Sequence, residues 1–235
     1  MTKARQATTT VTFVDEYGER YQDLFPDVRS FEQFKYLLLG LLSEIKRKTL
    51  PAIAKAVGAD AQALHHLLAY APWSVHELRT RRLALVRQAL DGRPFILCID
   101  ETGDRKKGHT TDYVSHQYIG NLGKLENGIV SVNAYGILDQ ITFPLLFKVF
   151  KPRTRLKPGE SYKTKPELAV ELIKELQKWG FRFSVVLADS LYGESSDFVG
   201  ALETLHLTYV VAIRSNHGVW LPPGEPRALH QLASV

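Results

Sequence analysis

Polar and apolar positions change rhythm along the chain at about residue 92. From Phe31 to Arg47, the apolar residues Phe34, Leu37, Leu38, Leu41, Leu42 and Ile45 recur three and four apart, which predicts an amphipathic helix. Pro51 at an early helical position and Gly58 at the end bracket a second helix. Asp60 is placed to cap a third, running to Tyr70. Ser74, with Glu77 three residues on, opens a fourth that runs to Leu90. Residues 31–90 therefore read as all-helical. The thirty residues before them give weak signals and are expected to form a partly ordered arm.

Beyond Gly92, Arg93 and Pro94, the pattern becomes strand-like. Phe95 to Ile99 is an apolar run rich enough to be buried on both faces. Ser115 to Gly120, Ile129 to Leu138 and Phe143 to Phe150 continue it, with a turn at Asp139 and Gln140. Residues 166–179 carry Leu168, Leu172, Leu176 and Trp179 on one helical side, and Gly180 ends that helix. Phe183 to Ala188 is a second buried strand, Ser196 to Leu205 a short helix, and Tyr209 to Ile213 a last strand. Strand–helix–strand order favours parallel pairing with a right-handed crossover. The expected fold class is α/β, a mixed sheet preceded by a helical module.

Composition excludes several classes. With 45% hydrophobic residues, 10% aromatics and a net charge of only +5, the chain is not intrinsically disordered. Its one Cys, Cys98, excludes a disulfide scaffold and reads as a core residue. The sequence shows neither a membrane-length apolar stretch nor the apolar core of a signal peptide, so a soluble protein of a reducing compartment is expected. A phosphate-binding G-x-x-x-x-G-K-[ST] loop is absent, which argues against an NTPase. The charge is unevenly spread. Lys148, Lys151, Arg153, Arg155, Lys157, Lys163 and Lys165 face Glu160 alone within one stretch, a polyphosphate footprint or a merely solvated loop.

Two buried strands run into an acid. Asp100 follows Ile99, and Asp189 follows Ala188. That places each carboxylate at the C-terminal mouth of its strand, where open α/β sheets build their sites. If the strands are neighbours, the two carboxylates repel and call for a cation between them, which a hard divalent ion satisfies with oxygen ligands. The rival reading is that each Asp caps a turn. Thr102 to Gly108, with Lys106 and Lys107, are expected as a polar loop after Asp100. Tyr192, after Asp189, is placed to stack on a base or sugar. A haloacid-dehalogenase-type phosphotransferase fails, because a second Asp is needed where Thr102 stands.

The strings CIDETGDRKKG, QYIGNLGKLENGIVSVNAYG, FPLLFKVFKPRTRLKPG, VVLADSLYGES and YVVAIRSN occur in this order. Together they resemble DDE transposases of the IS701 kind, within the IS4-like group, over residues 95–220 and more loosely over 31–90. The resemblance implies an RNase H-like core. Asp100 and Asp189 take the places of its first two acids on adjacent strands, with a glutamate on a later helix. It also implies two Mg²⁺ or Mn²⁺ ions for cleavage and strand transfer at transposon ends. The implied partners are double-stranded DNA, both terminal inverted repeats and target, and a second copy of the chain, in the bacterial cytoplasm near the nucleoid. Such enzymes insert a mostly β segment after the strand matching Tyr209 to Ile213, and their catalytic Glu follows it on a helix bearing Tyr, Arg, Glu and Lys. Glu194, Glu203 and Glu225 do not match that position. The expected division is an arm (1–30), a helical DNA-binding module (31–92), an incomplete catalytic core (93–220) and the start of the insertion (221–235). Little strand transfer is expected from such an N-terminal portion alone.

Leu50 to Leu68 fits a helix-turn-helix template, with Ala54 fifth, Gly58 ninth and Leu64 fifteenth. Its second helix would enter the major groove with Gln62, His65 and His66 outward, and Lys46, Arg47 and Lys48 would hold phosphates. An ordinary helical hairpin fits the same spacing. Lys106, Lys107 and Lys124, with Lys151, Arg153, Arg155 and Lys157 of the basic loop, complete the candidate DNA contacts. The alternative function is a non-catalytic DNA-binding fragment that occupies transposon ends or regulates the full-length transposase.

Overall fold

Local capping signals set the helices of the first half. In a computed structural model, which describes residues 6–108 and 110–216, the chain divides into two compact units at Val86/Arg87. The first contains α1 (Thr12–Glu19), α2 (Val28–Leu42), α3 (Leu50–Val57), α4 (Ala61–Ala69) and most of α5 (Val75–Leu90). Asp27 caps α2 by accepting from Ser30 N at 2.8 Å. Gly58 closes α3 in the left-handed region (φ 67°), which a residue with a Cβ rarely adopts. Asp60 then opens α4, accepting from Gln62 N at 2.6 Å. Ile53, Ala54 and Leu64 form the core between α3 and α4. The helix expected to Arg47 stops at Leu42, because Ser43 turns to an extended ψ of 153°.

The amino-terminal stretch, weak in periodic signal, contains α1. Its anchors are polar and aromatic rather than periodic. Lys35 Nζ donates to Thr8 O at 2.6 Å and to Asp15 Oδ1 at 2.7 Å. Glu32 Oε1 accepts from Thr8 N and Thr8 Oγ1. Tyr21 and Phe25 pack with Phe31, Phe34 and Leu67. Lys35 is buried, so Lys35→Met is expected to cost about 3 kcal/mol in urea unfolding by leaving Asp15 without its cation. Burial alone would raise the Asp15 carboxyl, but hydrogen bonds from Lys35 and Thr10 outweigh it and hold it below its usual value. A lowered folded pKa gives stability that is present above about pH 4 and lost as pH falls through the folded value. The gap between wild type and variant should therefore narrow in acid.

The second unit is built on one six-stranded sheet. Its strands are β1 (Phe95–Arg105), β2 (Ser115–Ile119), β3 (Lys124–Leu138), β4 (Ile141–Val149), β5 (Phe183–Ala188) and β6 (Tyr209–Val211). Its helices are α6 (Lys165–Lys178), α7 (Ser190–Gly193) and α8 (Ser196–Thr204). The order is β2-β3-β1-β5-β6, with β4 also on β3. β3 runs antiparallel to β1, β2 and β4, while β5 and β6 run parallel to β1. β1 is thus the central strand of a mixed sheet, antiparallel to β3 on one side and parallel to β5 on the other.

Two expectations are corrected. β1 does not end at Ile99 in a polar loop. It continues to Arg105, because β3 supplies an antiparallel partner as far as Arg105↔Gly128. β3 starts at Lys124 rather than at the expected Ile129. A four-residue helix, α7, directly follows Asp189. The expected insertion start at 221–235, with Glu225, lies outside the described residues.

Strand alternation sorts the two faces of this sheet. Leu97 and Ile99 of β1 and Val130, Val132 and Ala134 of β3 are buried on one face. There α6 packs through Leu168, Ala169, Leu172, Ile173 and Leu176. A reciprocal capping box between Thr164 and Glu167 starts that helix. Asp100 is on the opposite, more open face, where Phe147 and Val210 are also exposed.

Candidate active site

Register brings the two aspartates together. The last paired residues of β1 and β5 are Ile99 and Ala188. Asp100 and Asp189 each come next in sequence, so their backbones are about 5 Å apart, the spacing of neighbouring strands. Asp189 keeps extended angles (φ −79°, ψ −173°), so the alternation of β5 carries into it. Its side chain therefore shares the open face with Asp100, and both residues are exposed. Asp100 Oδ1 accepts from Glu101 N at 2.7 Å, and Asp189 Oδ1 accepts from Leu191 N at 3.0 Å. Asp189 thus does cap α7 as the rival reading held. One hydrogen bond fixes one oxygen of each carboxylate and leaves the other for a ligand.

The surroundings register the negative charge. Burial pushes the Cys98 thiol up, and Asp100 adds to it. The Tyr135 phenol is raised by burial, then by Cys98 and Asp100. A thiol held protonated is no ligand for a hard cation. Two exposed carboxylates with free oxygens, side by side on adjacent strands, are the donor set that such a cation fits.

No third acid joins them among the described residues, where no cluster of three His, Cys, Asp or Glu could hold a metal. Glu194 is bound by Arg214, whose Nε donates to both of its oxygens at 2.8 Å and whose backbone N donates at 2.9 Å. Glu203 accepts from Tyr209 Oη at 3.2 Å. The base-stacking role expected for Tyr192 is corrected. Its ring is 0% exposed and packs on Phe198, so it presents no face to a base.

Residues 21–231 match the DDE superfamily endonuclease family. This chain belongs to the DDE superfamily endonucleases. The DDE chain is 61% identical over 225 residues to the probable transposase for insertion sequence element IS701 of Microchaete diplosiphon. The match covers 95% of the chain but 59% of that relative, so the chain spans under two thirds of the relative's length. It is also similar, at 16% identity, to a Mos1 mariner paired end complex with Mn, covering 83% of this chain and 70% of that one at a TM-score of 0.25. A pre-cleavage Mos1 transpososome gives 16% identity, 89% and 69% coverage, and a TM-score of 0.26. TM-scores at that level add nothing about the fold.

The candidate DNA contacts of the DDE chain divide by whether their charge is already used. Lys151 binds Glu160 through both oxygens, at 2.8 and 2.6 Å. Arg155 Nε donates to Val114 O at 2.6 Å. Lys148 and Lys163 both bind Glu171, and Lys165 binds Glu101. The basic run is thus largely a set of internal struts. Arg153 and Lys157 are exposed, with Arg153 stacked 4.0 Å from the Tyr162 ring centroid. Lys106 pairs with Asp104, Lys124 approaches Glu126 at 3.5 Å, and Lys107 is exposed. In the helical unit, Lys48 donates to the Ser43 and Gly40 carbonyls at the end of α2. Lys46 and Arg47 are exposed, as are Gln62, His65 and His66 along α4. Glu101 was not singled out from the sequence, and its one signal there is its place directly after Asp100. No helix among the described residues is long and apolar enough to cross a membrane.

Proposed function

We propose that this chain supplies the first two acids of the metal-dependent DNA cleavage and strand-transfer site of an IS701-type transposase. The observation that carries the reading is the in-register placement of Asp100 and Asp189 on adjacent parallel strands, with both carboxylates on the open face. Asp100 and Asp189 would hold Mg²⁺ or Mn²⁺. When bound, such ions neutralise a phosphodiester and activate the attacking water or 3′-hydroxyl. Glu101 N and Leu191 N orient the two carboxylates. A third carboxylate, from outside the described residues, completes the set. The second reading, a DNA-binding fragment without chemistry, draws support from the engagement of Glu194 and Glu203 elsewhere.

The DNA is double-stranded, the terminal inverted repeats and the target, and the acting form is a homodimer near the nucleoid. Lys46 and Arg47 contact phosphates, and Gln62 and His65 of α4 read bases in the major groove. In the second unit, Arg153, Lys157, Lys107, Lys106 and Lys124 contact phosphates, while Lys151, Arg155 and Lys48 are engaged by partners within their own units. Mobility-shift titration with terminal-repeat and random duplexes tests this. Gln62→Ala should cut the preference for the terminal repeat about tenfold, the loss of one base contact. Arg47→Ala should weaken both duplexes alike and lower the salt slope by about one. Equal affinity of the wild-type chain for both duplexes would contradict end recognition.

A further inference from the structure

Two polar atoms buried without a partner belong to residues beside the strand ends that carry the aspartates, Glu101 next to Asp100 and Tyr192 in the helix that follows Asp189. Glu101 points to the α6 side of the sheet, where its Oε1 accepts from Lys165 Nζ at 2.9 Å. Its Oε2 is buried and has no partner. The Tyr192 hydroxyl is also buried without a partner. Leaving either group unpaired is costly, and buried polar groups are nearly always satisfied. One orphan is an obligate acceptor and the other a donor. Burial pushes the Tyr192 phenol up, and the Glu101 carboxylate adds to that ahead of Asp189 and Asp100. Lys165 is the first residue of α6, where the helix dipole disfavours a cation, and its Nζ turns to Glu101 and over the Phe150 ring, 5.8 Å from the centroid.

We infer that the Tyr192 hydroxyl is joined to Glu101 Oε2 through one buried water, so that Lys165, Glu101 and Tyr192 form a relay that positions both aspartates. Two members of the relay each touch one of them. Glu101 N donates to Asp100 Oδ1. Tyr192 sits in the turn that Asp189 caps, and its N donates to Asp189 O at 3.2 Å. Glu101 and Tyr192 contact no reacting atom and are positioning residues. The inference rests on the metal reading above for its functional consequence, but not for the water-bridged link itself.

The test uses the full chain with Tyr192→Phe, Glu101→Gln, the double variant and Asp100→Asn. Tyr192→Phe removes one oxygen and keeps the packing on Phe198. It is expected to lower Mn²⁺ affinity about tenfold, the usual cost of losing a supporting partner behind a ligand, with the circular dichroism spectrum unchanged. The double variant should bind Mn²⁺ no more weakly than the weaker single variant. In urea unfolding, the cycle of the two substitutions should show a coupling of at least about twofold in the equilibrium constant. Lys165→Met replaces Glu101→Gln in the cycle if that variant does not fold. Unchanged Mn²⁺ affinity in Tyr192→Phe, where Asp100→Asn loses binding, would overturn the positioning role. If Asp100→Asn still binds Mn²⁺ normally, the metal reading fails instead, and the urea cycle alone decides the relay. Independent effects in that cycle would overturn it.

Discussion

Asp100→Asn and Asp189→Asn are each expected to weaken Mn²⁺ binding by more than about 100-fold in calorimetric titration. An outer partner of a metal ligand is commonly worth about 10–100-fold, and a ligand itself is worth more. Each substitution keeps the side-chain volume and one oxygen. Asn Oδ1 can still accept from Glu101 N or Leu191 N, so the strand ends should keep their shape. What is lost is one of two negative charges facing the same cation. The loss should be equally deep at either position, because the parallel register puts Asp100 and Asp189 level with each other. Loss at one position only would mean that the pair does not act as one site.

The second large effect lies behind Asp189. Gly193 ends α7, and a Cβ there would stand 2.0 Å from Ala212 O and 3.0 Å from Val211 Cβ. The closer of these is backbone just after β6, which cannot swing aside as a side-chain tip can. Gly193→Ala must therefore push α7 away from β6, and overpacking of this kind costs about 3 kcal/mol. In a unit of this size, that lowers the melting temperature by about 6–12 °C. Because Asp189 caps α7 through Leu191 N, the same displacement should weaken Mn²⁺ binding. Gly200→Ala is the control. It lies inside α8 with nothing within 4 Å of the added Cβ. It should leave stability unchanged or raise it by up to about 1 kcal/mol. Thermal melts of the two variants side by side check both statements.

Elements set by local chemistry were legible in the sequence. Pro51, Gly58 and Asp60 marked α3 and α4, because caps and left-handed turns depend on the residue at one position. The aspartates were legible for a related reason, an acid directly after an apolar run. What depended on distant partners was not. Thr102, Gly103, Asp104 and Arg105 have loop composition, yet they form strand because β3 lies alongside. The lysines of 148–165 read as a cationic comb, yet Glu160, Glu171 and Glu101 bind four of them. Glu101 is 64 residues away from Lys165, beyond any local pattern. Tyr192 read as an exposed aromatic because the short helix that turns it inward leaves no periodic trace.

The central claim is that Asp100 and Asp189 form one cation site on the open face of the sheet. Mn²⁺ titration of isotopically labelled chain, followed by paramagnetic broadening of amide signals, tests it most directly. The account predicts that signals of residues 99–101 and 188–190 broaden first and together, with a single affinity that disappears in Asp100→Asn. Broadening that begins at another acidic place, such as Glu160 or Asp23, and leaves those two segments sharp would contradict it.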